Sequence, residues 1–206
     1  MNDAAVKEKK GKDCIIPTPF CLLFGQGHQH FLKRFCRLPL EADPPARGRG
    51  KKALTVTAAQ SLHEALFEPW QRQDASDSLR WDPEEAARYA LMPGDPSDIA
   101  YKLRTQHGAN RLAVFGLPAL TTAPENRAGT IRLSVLGGRW DHEGFSFAWP
   151  IWRGSATLAA IRAMLSHPDL RQPDALRHLG VEQIRVTRRI STGKFMNFTR
   201  AEYQIC

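Results

Sequence analysis

The hydrophobic period of this chain changes partway along, and that change limits the folds open to it. From Ile131 onward apolar residues alternate: Ile131, Leu133 and Val135 with Arg132 and Ser134, then Phe145, Phe147 and Trp149. Period two gathers one set of side chains on one sheet face, so each run reads as a strand, with Gly137-Gly138 as the turn between them. Ile184, Val186 and Ile190 alternate with Arg185, Thr187 and Arg189, Ser191-Thr192-Gly193 turns the chain, and Phe195 to Ile205 returns, which predicts a C-terminal β-hairpin.

Upstream the spacing is helical. Phe31, Leu32 and Phe35 predict a short helix over 26–38, ended by Pro39. Thr57 is a candidate N-cap for a helix carrying Leu62, Ala65 and Leu66, stopped by Pro69. Asp82-Pro83-Glu84-Glu85 reads as a helix start, with a capping Asp, proline at the first position and acids facing the dipole. Asn110 to Phe115 is a further apolar run, limited by Gly116 and Pro118. Ser155 is expected to cap a helix to about Ser166, with Leu158, Ile161, Met164 and Leu165 as its buried stripe. The expected fold class is α+β: helices packed with short antiparallel strands and a C-terminal β-hairpin.

A chain of 206 residues suits one domain with extended arms. Residues 1–24 are expected to form an N-terminal arm, disordered over the charged stretch 1–13, and residues 25–206 a single domain. Within it, 39–53 contains Glu41-Ala42-Asp43-Pro44-Pro45-Ala46-Arg47-Gly48-Arg49-Gly50-Lys51-Lys52, a composition that predicts a flexible basic loop. No stretch approaches the ~20 apolar residues of a membrane span, and Cys14–Phe24 with its two prolines does not read as a signal peptide. Cys14, Cys21, Cys36 and Cys206 follow no metal or disulfide spacing, so reduced thiols, a cytoplasmic location and no membrane partner are expected.

Charge is distributed unevenly. Residues 1–52 hold eleven Lys/Arg against five Asp/Glu, 53–170 eleven against thirteen, and 171–206 seven against three. Two basic ends around a nearly neutral middle suit a polyanion, since clustered cations displace the counterions of a phosphate backbone. The candidate nucleic-acid contacts are Lys33, Arg34, Arg37, Arg47, Arg49, Lys51, Lys52, Arg185, Arg188, Arg189 and Lys194. Phe195, Phe198 and Tyr203 either stack on bases or fill the core beneath the sheet, the latter being favoured. Trp149-Pro150-Ile151-Trp152 reads as a core or subunit anchor.

Catalytic patterns are missing. Gly48-Arg49-Gly50-Lys51-Lys52 lacks the spacing of a phosphate loop, and there is no G-x-S-x-G. His28 and His30 have no third ligand at a recognisable spacing. No catalytic residue, metal or cofactor is assigned.

Several passages together resemble proteins encoded in type I-U (type I-G) CRISPR–Cas loci. They are Gly25-Gln26-Gly27-His28-Gln29-His30-Phe31-Leu32, Ser78-Leu79-Arg80-Trp81-Asp82-Pro83 leading to Arg88-Tyr89-Ala90-Leu91, Gly108-Ala109-Asn110-Arg111-Leu112-Ala113, Trp149-Pro150-Ile151-Trp152 and Gly193-Lys194-Phe195. The resemblance implies an accessory or effector-complex component in antiviral defence, with crRNA or target DNA and other Cas subunits as partners, and it transfers no catalytic residue. The expected function is a non-catalytic nucleic-acid-associated component. The alternatives are a nuclease or RNA-processing factor using His28 or His30, and a structural subunit binding protein through Trp149–Trp152.

Overall fold

The computed structural model describes residues 4–9, 12–22, 31–48, 50–83, 104–127, 129–172, 174–192 and 195–203. In chain order its elements are β1 (Ala4–Lys9), β2 (Lys12–Pro17), α1 (Phe31–Arg37), α2 (Ala58–Phe67), α3 (His107–Gly116), β3 (Thr122–Arg127), β4 (Thr130–Val135), β5 (Gly138–Asp141), β6 (Gly144–Trp152), α4 (Leu158–Leu165), β7 (Val181–Thr192), β8 (Phe195–Phe198) and β9 (Glu202–Tyr203). Helices and antiparallel strands with a C-terminal hairpin make this an α+β fold, as the period change implies. No helix among the described residues is long and apolar enough to cross a membrane.

Two compact units divide the chain: Met1–Cys21, Ala119–Ser191 and Phe198–Cys206 form one, Leu22–Pro118 and Thr192–Asn197 the other. Within the stretch 1–13 expected to be disordered, β1 and the start of β2 are described, and the two strands pair antiparallel, Val6 opposite Ile15 and Glu8 opposite Asp13. Strand pairing satisfies backbone groups whatever the side-chain charge, which composition does not register.

In the first unit β3 pairs with β4, β5 with β6 and β6 with β7, and β9 also pairs with β7. The expected turn at Gly137-Gly138 leads into β5, a strand the sequence did not announce. Gly137 has φ +77°, and a Cβ there would lie 2.4 Å from the Ala148 carbonyl oxygen, so this crossing needs glycine. One sheet face, with Ala148 and Ile184, joins Met164, Leu170, Leu176 and Val181 in the hydrophobic core, with Ile161, Trp152 and Val186 packed on it. Thr157 rather than Ser155 caps α4, its hydroxyl accepting from the Ala160 N–H at 3.1 Å. The other face carries Phe145, Phe147 and Trp149, on which Phe20 packs edge-on, 5.9 Å from Phe145 and 5.2 Å from Phe147.

In the second unit Thr57 caps α2 in a capping box with Gln60, and Phe67 ends the helix just before Glu68-Pro69. The α2 and α3 backbones meet at Gly108, where a Cβ would stand 2.2 Å from the Ser61 carbonyl oxygen. A short bridge pairs Asp74 with Thr105, and His107 begins α3 fully buried. The His107 Nε2–H donates to the Glu41 carbonyl at 2.8 Å, leaving Nδ1 to accept from Ser76 Oγ at 3.0 Å. The helix start predicted at Asp82-Pro83 lies outside the described residues from Glu84 onward.

Candidate nucleic-acid interface

The structure separates the candidate cations by what already surrounds them. Arg47, expected in a flexible basic loop, is held by two carboxylates. Its Nε donates to Asp74 Oδ1 at 2.8 Å, and its Nη1 and Nη2 donate to the two Glu64 oxygens at 3.0 and 2.6 Å. The Arg47 hydrogen bonds keep the Glu64 carboxyl below its ordinary pKa against the opposing effect of burial. The loop is tied again where Asp43 Oδ1 accepts from the Ala58 N–H at 2.6 Å and where Arg47 bridges to Leu54. Composition pointed to mobility, but carboxylates distant in sequence supply the anchors. Arg47 therefore has its charge met by two carboxylates of its own chain.

Arg34 and Arg37 lie on α1 beside Asp77. Arg34 Nη1 donates to the Ser78 carbonyl at 3.1 Å, while Arg37 pairs with Glu41 at 2.5 Å and with Asp77 at 3.4 Å. These two are partly neutralised. Lys33, Lys51 and Lys52 are exposed and make no ion pair among the described residues. Arg49, Lys194, His28 and His30 lie outside the described residues, as does the side chain of Phe195.

The three arginines of β7 part company. Strand alternation puts Arg185 and Arg189 on the aromatic face with Trp149, and Arg188 on the other. Arg188 stands in a cross-strand row with Ser146 and Arg139, since Ser146 pairs with both. It holds Asp141 at 3.2 Å and Glu143 at 2.9 Å. Burial pushes the Asp141 carboxyl up, yet the hydrogen bonds from Arg188 and the Glu143 N–H outweigh it and leave the group below its ordinary value. Arg171 reaches this row from the segment after α4, donating to the Gly137 and Ser146 carbonyls at 2.9 and 3.2 Å. Burial, then the charges of Arg139 and Arg188, lower its pKa. Arg139 and Arg171 were not among the sequence candidates, because only strand pairing brings them to Arg188. Arg189 is largely enclosed, with its Nε unpaired, and burial lowers its pKa.

Arg185 is the exception. It makes no ion pair among the described residues, and its guanidinium carbon lies 3.4 Å from the centre of the Tyr203 ring. Pairing of β6, β7 and β9 sets Trp149, Arg185 and Tyr203 in one row across the sheet, and Phe147 stacks on Trp149 at 5.6 Å. Tyr203 remains 56% exposed, whereas Phe198 is buried. Of these aromatics, Phe198 thus fills the core while Tyr203 stays at the surface. Among the described residues no three His, Cys, Asp or Glu side chains gather as a metal site. Comparison with protein-family models, curated proteins and solved structures finds no match to this chain.

Proposed function

We propose that this protein is a non-catalytic nucleic-acid-binding component that contacts its ligand on the β6–β7–β9 face. The observation that carries this reading is Arg185: a cation without a carboxylate partner among the described residues, lying over the ring of an exposed tyrosine. Stacking on the ring orients the planar fork and lowers the entropy lost when its N–H groups meet a phosphate. Exposed Lys33, Lys51 and Lys52, together with the net charge of +8, support long-range attraction of a polyanion. The resemblance to type I-U CRISPR–Cas proteins supports setting this binding in an effector complex, with crRNA or target DNA as ligand, other Cas subunits as partners, and a cytoplasmic setting.

The test is the salt dependence of binding to short single-stranded RNA and DNA. Wild-type affinity should fall steeply with salt, and Arg185→Ala should reduce the slope of log K against log salt by roughly 0.7. No binding to any such oligonucleotide at low salt would refute the proposal for the isolated chain.

A further inference from the structure

We infer that Tyr203, Arg185 and Trp149 form a stacking slot for an unpaired base, so that the ligand is taken as a single strand. This rests on the nucleic-acid reading above and names the form of nucleic acid which that site accepts. Arg185 lies over the Tyr203 ring at 3.4 Å, yet the residue stays 56% exposed, so part of it remains open to solvent. Across Arg185 from it, half-buried Trp149 on β6 is braced by Phe147 from its own strand. Three planar groups thus stand in register on adjacent strands, on a face where the neighbouring Phe145 is buried and in contact with Phe20, whereas Trp149 and Arg185 are half-buried and Tyr203 is exposed.

The chemistry of the row selects its occupant. A purely apolar partner would bury the Arg185 charge with no counter-ion, at a large desolvation cost. An unpaired nucleotide satisfies both parts of the slot. Its base offers a π-face to the ring, and its phosphate offers an anion to the guanidinium. In a duplex each base face is already stacked on its neighbours, so a double strand meets the arginine but not the ring.

The experiment compares the full chain binding to short labelled strands of four kinds: oligouridine, oligodeoxythymidine, an abasic deoxyribose-phosphate strand and a DNA duplex of equal length. Base-containing single strands should bind more tightly than the abasic strand by roughly 5- to 150-fold, the range expected for stacking one base. Tyr203→Ala should bring affinity for them down to the abasic level, while Tyr203→Phe retains most of the preference. Both variants should melt with the wild type, because the side chain is exposed. Uridine and thymidine strands separate RNA from DNA as the source of the base, and preference for either over the abasic strand supports the slot. Equal affinity for base-containing and abasic strands, or for duplex and single strand, would overturn the slot and leave the nucleic-acid reading standing. Binding to none of the four would remove both.

Discussion

Arg47 and Asp74, 27 positions apart, are joined by a hydrogen bond of 2.8 Å from Nε to a carboxylate that has no exposed surface. The same carboxylate accepts from the His107 N–H at 2.9 Å, so the pair ties the 39–53 segment to the start of α3. Removing Arg47 leaves Asp74 buried without its counter-charge. Arg47→Met should therefore destabilise the protein by about 3–5 kcal/mol, measured by denaturant unfolding. At salt concentrations where the variant remains folded, the salt slope of nucleic-acid binding should be unchanged. A lowered slope would return Arg47 to the interface.

Acid sensitivity follows from the same cluster. Glu64 has a folded-state pKa below its ordinary 4.5, chiefly through the Arg47 hydrogen bonds. A depressed carboxyl adds stability that is fully present above the ordinary value and is lost as pH falls through the folded one. Thermal melts from about pH 6 downward should show wild-type Tm falling below pH 4.5, with a shallower fall in Glu64→Gln.

Burial distinguishes the aromatics of β6. Phe145 is 1% exposed and Trp149 only half-buried, although both point from the same face. Phe145→Ala should cost about 3–5 kcal/mol and Trp149→Ala distinctly less, about 1–2 kcal/mol, because much of the indole is never removed from water. Equal losses in Tm would mean that Trp149 is as enclosed as Phe145 and that the proposed slot is closed.

Gly108 and Gly116 sit in one helix and predict opposite responses to alanine. At Gly108 the added carbon meets the Ser61 carbonyl oxygen at 2.2 Å and its carbon at 2.7 Å, backbone atoms that cannot swing aside. Forcing α2 and α3 apart should cost roughly 1–3 kcal/mol or more. At Gly116 nothing lies within 4 Å, so Gly116→Ala should leave Tm unchanged or slightly raised. Denaturation midpoints of the two variants check the helix packing directly.

Much of the secondary structure was legible in local sequence. Alternation at Ile184, Arg185 and Val186 put Arg185 on one face of a strand, and Thr57 announced a helix through its own cap, because period and capping depend on neighbours within a few residues. The charges of Arg47 and Arg185 look alike in sequence, each lying in a basic stretch. Only the tertiary structure brings Glu64 and Asp74 to the first and Tyr203 to the second. The same applies to the row that unites Arg139, Ser146 and Arg188. The sequence by itself determined the α+β class, the sheet face each β7 residue occupies and the excess of positive charge. Which cations are neutralised, and which have no carboxylate partner among the described residues, was decided by the fold, because an ion pair depends on distance in space, and chain separation leaves that distance undetermined.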